Sequence, residues 1–110
     1  MSRAVVDETI LAEIVRRLVE AVDPHRIILF GSRARGEERP DSDVDLMIVK
    51  ASDDSSHRRV IPAYQALGGL GVSKDVVWYT PEEVDDWAGV RNHIISRALR
   101  EGRVLYEKRP

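Results

Sequence analysis

The sequence predicts one α/β (α+β) domain, in which a small mixed β-sheet is flanked by helices. Three short apolar segments, 26–30, 43–49 and 74–79, have the length and the flanking turn residues of strands. Amphipathic segments alternate with them, which is typical of a sheet covered by helices. A chain of 110 residues can bury one core but not two. We therefore expect a single domain over residues 1–110, with its core at about 8–106.

The composition excludes several classes of protein. Hydrophobic residues make up 43% and charged residues 33%, a balance typical of a soluble globular chain. The net charge of −2 provides no global basic field for direct nucleic-acid binding. The absence of cysteine excludes disulfides and thiolate chemistry. No apolar run approaches the roughly 20 residues that span a bilayer, and no signal core is visible. We expect a cytoplasmic protein without membrane contact.

The first quarter of the chain predicts a helix followed by a strand. Apolar residues at every fourth position indicate an amphipathic helix over 8–22. Asp7 suits the N-cap position, and Asp23-Pro24 ends the helix. The continuously apolar segment 26–30 then predicts a strand that is buried on both faces.

A turn and a second strand follow. Gly31-Ser32 is predicted to be the turn, with a short helical turn over 33–36 that places it at a helix N-terminus. The polar segment 37–42 is predicted to be a loop, and 43–49 the second strand.

The middle of the chain predicts a crossover helix and a third strand. The apolar pattern indicates a helix over about 57–67, and Pro62 either kinks this helix or marks its beginning. Glycines then break the pattern, and alternating residues over 74–79 predict the strand.

The last third of the chain predicts two helices and a short extended edge segment. Thr80 and Glu83 form a capping box that begins a short helix ending near Gly89. The chain is expected to close with a helix over 92–100 and an extended edge over 103–106.

A glycine-serine turn lies close to a pair of aspartates. The strand ending in Gly31-Ser32 offers backbone N–H groups and a hydroxyl, which suit phosphate oxygens. Ten residues lie between Ser32 and Asp43, and Asp45 follows two positions later, so the two carboxylates point to the same face of a strand. Adjacent carboxylates repel each other unless a cation lies between them, and hard oxygen ligands suit Mg²⁺. The pattern therefore indicates an enzyme that uses a nucleotide.

Asp75 is a candidate third carboxylate of the same site. It begins an otherwise apolar strand, where an isolated buried charge would be costly. If this strand lies beside the second one, Asp75 joins Asp43 and Asp45, and three carboxylates are able to hold two Mg²⁺ ions. Such a pair neutralises a polyphosphate during in-line displacement. Asp75 would then act as a ligand or as a general base.

Each of these signals also has a structural reading. Asp41-Ser42-Asp43 suits a turn, and turn chemistry accounts well for Asp41 but poorly for Asp45 within the strand. Asp75 is also able to pair with Lys74 or with an arginine at a strand edge.

The two arginines beside the turn are equally ambiguous. Arg33 and Arg35 are candidates for nucleotide binding because guanidinium groups suit phosphate. Solvated charges at a helix end are the alternative reading for both. Gly31-Ser32 is itself weak evidence without the aspartates.

At this point the sequence shows a family resemblance. The residues that carry it are Gly31, Ser32, Asp43, Asp45 and Asp75, at the spacing described. This pattern resembles the nucleotidyltransferase superfamily related to DNA polymerase beta. The run over 31–37 and the small size most resemble the minimal nucleotidyltransferases (MNT), antitoxins that are paired with HEPN-domain toxins. The resemblance covers most of the chain, including its ending over 98–107.

The resemblance implies a nucleotidyltransferase fold and a mechanism. Gly31 and Ser32 would bind the triphosphate of ATP. Asp43, Asp45 and Asp75 would carry Mg²⁺, and Asp75 would help to activate the acceptor hydroxyl. AMP would move from ATP to that hydroxyl with release of pyrophosphate. In MNT–HEPN pairs the acceptor resembles a tyrosine of the partner toxin, a ribonuclease silenced by the modification.

Several functions compete at this stage. The first is a protein adenylyltransferase that acts as an antitoxin, and the second is a non-catalytic antitoxin that neutralises its partner by binding. A small-molecule nucleotidyltransferase of the aminoglycoside-modifying kind is the third, and a nucleic-acid polymerase is the least favoured. The oligomeric state, homo- or hetero-oligomeric, stays open. An apolar patch for a partner is expected from Ile94, Ile95, Val104 and Leu105.

Overall fold

The structure, a computed structural model, describes residues 6–109. Within these residues six helices and four strands follow one another along the chain. In chain order they are α1 (Glu8–Val22), β1 (Arg26–Phe30), α2 (Ser32–Arg35), β2 (Val44–Val49), α3 (Ser56–Arg59), α4 (Ile61–Ala66), β3 (Lys74–Tyr79), α5 (Pro81–Trp87), α6 (Ile94–Glu101) and β4 (Arg103–Glu107). None of these helices is both long and apolar enough to cross a membrane.

The four strands form one mixed sheet in the order β3-β2-β1-β4. Strand β1 runs antiparallel to both β2 and β4, whereas β2 and β3 are parallel. A parallel pair needs a crossover connection, and α3 and α4 supply it. The predicted small mixed sheet with flanking helices is therefore confirmed.

Helix α1 begins and ends as its sequence predicts. The side chain of Asp7 accepts a hydrogen bond from the backbone N–H of Ile10 at 3.0 Å, which satisfies one of the free donors of the first turn. Asp23 ends the helix in a left-handed conformation, with φ at 47°. The stripe of the helix that faces the sheet buries Leu11, Ile14 and Leu18.

The sheet separates two apolar cores. Along β1, Ile27 and Leu29 join the core beneath α1 and α4, while Ile28 joins the core beneath α5 and α6. Strand β2 alternates in the same way because successive side chains of a strand point to opposite faces. Both central strands are thus buried on both faces, as was expected for β1.

The region predicted as one helix over 57–67 contains two short helices, so the reading of Pro62 as a kink within a single helix is wrong. They meet at Val60, one residue before α4 begins. Pro62 lies in the first turn of α4, where its missing N–H and fixed φ are tolerated. The proline therefore marks the beginning of a helix, the alternative that its position had suggested.

Two other boundaries shift by one or two residues. Strand β2 begins at Val44, so Asp43 lies in the loop before it. Helix α6 begins at Ile94 because His93 caps it, with Nδ1 accepting the backbone N–H of Ile95 at 3.1 Å. A capping histidine was not among the expectations from the sequence.

The expected single apolar patch does not form. Ile95 has an exposed fraction of 0% and packs in the core beneath α5 and α6. Leu105 packs against the other core, beneath α1. Val104, by contrast, is 50% exposed. The four residues fail to form one surface because α6 turns Ile95 onto the sheet.

The capping box of α5 ties this helix to the crossover. Glu83 accepts hydrogen bonds from the backbone N–H of Thr80 at 2.8 Å and from Nη1 of Arg59 at 2.6 Å. The bond from Thr80, followed by that from Arg59, lowers the pKa of Glu83 below its usual 4.5. A carboxylate with a lowered pKa stabilises the fold above the unfolded-state pKa, and this contribution disappears as the pH falls through the folded-state value.

We expect Glu83→Gln to lower the free energy of unfolding by about 0.5–1.5 kcal/mol at pH 7, because the charged acceptor for two donors is lost. The deficit should shrink at an acidic pH below the lowered pKa of Glu83, where the wild-type side chain is itself protonated. Urea unfolding at both pH values measures this, with Glu82→Gln in the same turn as the control. An equal deficit at both pH values would contradict the assignment.

Candidate active site

Two carboxylates lie side by side at one end of the sheet. The strand register pairs Asp45 of β2 with Asp75 of β3 on one side and with Phe30 of β1 on the other. Paired positions of neighbouring strands face the same side of a sheet, so the three side chains form one row. This is the face that α5 and α6 cover further along the strands. The expected adjacency of Asp45 and Asp75 follows directly from the parallel pairing of β2 with β3.

Asp43 lies immediately before this row and is exposed. One of its carboxylate oxygens accepts a hydrogen bond from the hydroxyl of Ser73, the residue that precedes β3. The backbone N–H of Val44 donates to the carbonyl oxygen of Ser73 at 2.9 Å. Two hydrogen bonds therefore join the segments that lead into β2 and β3. Sequence reasoning missed Ser73, and no local pattern around it indicates this contact.

The side-chain carboxylate of Asp45 accepts no hydrogen bond from any residue in the described part of the chain. Burial raises its pKa first, and the negative charges of Asp75 and Asp43 raise it further, while Arg35 acts in the opposite direction. A partly buried carboxylate next to two others is unfavourable in the protein alone. The row therefore presents negative charge that a cation would relieve.

Gly31 brings the backbone of the turn against this carboxylate. Its φ of 76° lies in the left-handed region, where residues with a side chain are strained. A Cβ atom at this position would also overlap Oδ2 of Asp45. Only glycine meets both conditions, so the predicted phosphate turn and the predicted carboxylate lie in direct contact. Ser32 follows half-buried, and its hydroxyl makes no hydrogen bond within residues 6–109.

The two arginines of the motif have different partners. Arg33 donates from Nε and Nη2 to the carbonyl oxygen of Ser42 at 3.2 and 2.8 Å, which braces the loop leading into Asp43. Arg35 pairs with Glu37 at 2.8 Å and with Glu101 at 3.5 Å. The phosphate contacts proposed for both arginines stay predictions.

Tyr64 is a further site residue that sequence reasoning missed. Its hydroxyl accepts the backbone N–H of Val76 at 2.8 Å and lies 3.5 Å from Oδ1 of Asp75. Tyr64 lies within the helix predicted over 57–67, and the sequence predicts no contact between it and Asp75. No local signal identifies the contact, because the packing of α4 beside β3 creates it.

The donor set fits a cation that is shared with a phosphate chain. Over residues 6–109, no three carboxylate or histidine side chains already converge on one metal position. Mg²⁺, however, is usually held by only one or two carboxylates, with waters and substrate phosphates as the remaining ligands. Asp45, which lacks a donor and lies between like charges, suits this mode of binding.

Comparison with known proteins assigns the family. Residues 9–105 match the model of the nucleotidyltransferase domain. The chain belongs to this family. No curated protein matches the sequence at a significant level.

Solved structures share the nucleotidyltransferase fold with this chain. One is a toxin-antitoxin with AMP-PNP, at 19% identity and a TM-score of 0.66, covering 90% of this chain and 74% of that one. A mutant of the toxin-antitoxin MntA-HpeT matches at 17% identity and a TM-score of 0.62, with the same coverage. A putative nucleotidyltransferase from Sulfolobus solfataricus has 22% identity and a TM-score of 0.63, covering 89% and 78%.

We expect Asp45→Asn to raise the melting temperature by about 2–4 °C in the presence of EDTA, because it removes one of three mutually repelling carboxylates and breaks no hydrogen bond. Added Mg²⁺ with a nucleoside triphosphate should then stabilise the wild type more than the variant, since ligand binding to the folded state adds to its stability. Thermal unfolding followed by circular dichroism tests both points.

Asp53→Asn, an exposed substitution in the loop after β2, is the matched control and should leave both results unchanged. A melting temperature of Asp45→Asn below that of the wild type would show that the carboxylate stabilises the metal-free fold.

Proposed function

We propose that this nucleotidyltransferase is a Mg²⁺-dependent adenylyltransferase of the cytoplasm. It transfers AMP from ATP to a tyrosine hydroxyl of a HEPN-type toxin and thereby acts as the antitoxin. The observation that carries the proposal is the contact of the Gly31 turn with Asp45, whose other neighbour is Asp75. A phosphate-binding turn and a pair of carboxylates on one sheet face are what transfer from a nucleoside triphosphate requires.

Two of the structural neighbours support an adenine nucleotide as the substrate and a toxin as the partner. One was solved as a toxin-antitoxin with AMP-PNP, and another is a toxin-antitoxin named MntA-HpeT. At this level of identity the likeness carries the fold, and the activity is inferred by analogy. The acceptor tyrosine and the HEPN identity of the partner come from the resemblance of the motif.

The residues of the site take distinct roles in this reaction. Gly31 and Ser32 bind the triphosphate through backbone N–H groups and the serine hydroxyl. Asp43, Asp45 and Asp75 would hold Mg²⁺, which supplies charge neutralisation for the polyphosphate when it is bound.

The transfer itself is an in-line displacement at the α-phosphorus of ATP. The tyrosine oxygen forms a bond to this phosphorus, and the bond from the phosphorus to the oxygen bridging it to the β-phosphate breaks. Pyrophosphate leaves, and Asp75 receives the proton of the attacking hydroxyl. The products are tyrosyl-AMP and pyrophosphate.

Label transfer from base-labelled ATP tests this function. Protein, Mg²⁺ and the product of the neighbouring gene are incubated together, and the label on that partner is followed. We expect transfer by the wild type and a loss of at least about 100-fold in Asp43→Asn, since a cation ligand is removed. Asp53→Asn should transfer at the wild-type rate.

Other outcomes would point elsewhere. A wild type that binds and neutralises the partner without transferring label would indicate an antitoxin that acts by occlusion. A wild type that neither transfers label nor binds the partner would direct the search to small hydroxylated acceptors.

We expect Tyr64→Phe to lower kcat about 3- to 10-fold with an unchanged KM for ATP, because the hydroxyl positions Asp75 and does not touch the nucleotide. Steady-state transfer kinetics measure the split between the two constants. Tyr106→Phe in β4 is the control and should leave both constants unchanged. A rise in KM with unchanged kcat would rule out the positioning role.

A further inference from the structure

A small cavity opens between the Gly31 turn and helix α6. Its lining residues are Phe30, Gly31, Arg35, Ile94, Arg97 and Glu101. The first two belong to the row and the turn that contact Asp45, whereas Ile94 and Arg97 have no role in the site described above. The cavity thus continues the candidate active site towards α6.

Helix α6 forms a wall above the face that carries the carboxylates. Ile95 and Ala98 pack onto Ile28 and Met47, the next row of the same sheet face. Arg97 lies between Ile95 and Ala98 in the sequence, but unlike them it is exposed, and it lines the cavity. The helix is therefore held in place by its apolar residues while it presents an arginine to the site.

The charges around the cavity leave one cation without a partner. Arg35 is neutralised by Glu37 at 2.8 Å and approached by Glu101 at 3.5 Å. Arg97 forms no ion pair and no side-chain hydrogen bond with any residue of the described range 6–109. Its guanidinium is thus free to bind an anion that enters the cavity from the turn.

We propose that Arg97 binds the terminal phosphates of the nucleoside triphosphate and holds the pyrophosphate as it leaves. This inference rests on the proposed function and adds a residue from a part of the chain outside the turn and the aspartates. A guanidinium group presents a planar fork of donors that matches two phosphate oxygens. Because Gly31 and Arg97 both line this cavity, a phosphate chain bound at the turn would extend towards α6.

An acidic group of the acceptor protein is a different partner for the same guanidinium. The shared cavity favours phosphate, because Gly31 lies against the carboxylate row where the reacting phosphate would be bound. Nucleotides that differ only in phosphate number separate these two partners.

Isothermal titration of the protein with ATP and with AMP, both in the presence of Mg²⁺, tests the assignment. We expect Arg97→Ala to weaken ATP binding about 10- to 100-fold and to leave AMP binding unchanged, since only ATP carries the terminal phosphates. Arg97→Lys should recover part of the loss because it keeps the charge without the fork. Arg100→Ala, in the same helix but outside the cavity lining, is the matched control and should bind both nucleotides normally.

Each contrary result has a separate meaning. Equal weakening of ATP and AMP binding in Arg97→Ala would overturn the assignment in favour of a structural role. Normal ATP binding with weakened binding of the partner protein would overturn it in favour of an acceptor contact. In both cases wild-type transfer of label would leave the proposed function intact. A wild type that binds no ATP would overturn the inference and the proposed function together.

Discussion

The contact of Gly31 with the carboxylate of Asp45 is the constraint on which the rest of the site depends. The turn backbone lies so close to this side chain that a Cβ atom would overlap it. On its other side Asp45 faces Asp75, and burial and the neighbouring charges raise its pKa. The protein thus holds a carboxylate where its own atoms offer no donor within the described residues. Such an arrangement is unfavourable in the protein alone, and a bound cation would relieve the repulsion between the carboxylates.

Strand order produces this contact. Because β1 and β2 are antiparallel neighbours, the end of β1 and its turn lie beside the beginning of β2. Because β2 and β3 are parallel, both strands begin at the same end of the sheet, and Asp75 is the register partner of Asp45. One crossover through α3 and α4 is sufficient to bring the third strand there. The mixed character of the sheet is therefore what gathers a turn and two carboxylates in a chain of 110 residues.

The helices cover the two faces of the sheet to different extents. Helices α1 and α4 cover one face with a continuous apolar core. On the other face, α5 and α6 cover only the rows beyond the carboxylates. The first row of that face thus stays accessible, and α6 ends beside the turn, where Arg97 and Glu101 reach the cavity. The buried apolar side chains thus lie on the face beneath α1 and α4 and in the rows beneath α5 and α6, whereas the first row of the second face holds the candidate site.

The sequence by itself determined the elements and the motif. Side chains within four residues of each helix end, such as Asp7 and the Thr80–Glu83 capping box, specify where α1 and α5 begin. Residues 57–67 form two short helices, and the apolar periodicity that predicted one helix does not show the break that the position of Pro62 suggested. Only the tertiary structure decided the contacts of Ser73 with Asp43, of Tyr64 with Asp75 and of Arg97 with the cavity. Each joins segments far apart in the chain, and no local periodicity or capping rule reports which segments the sheet and its helices bring together.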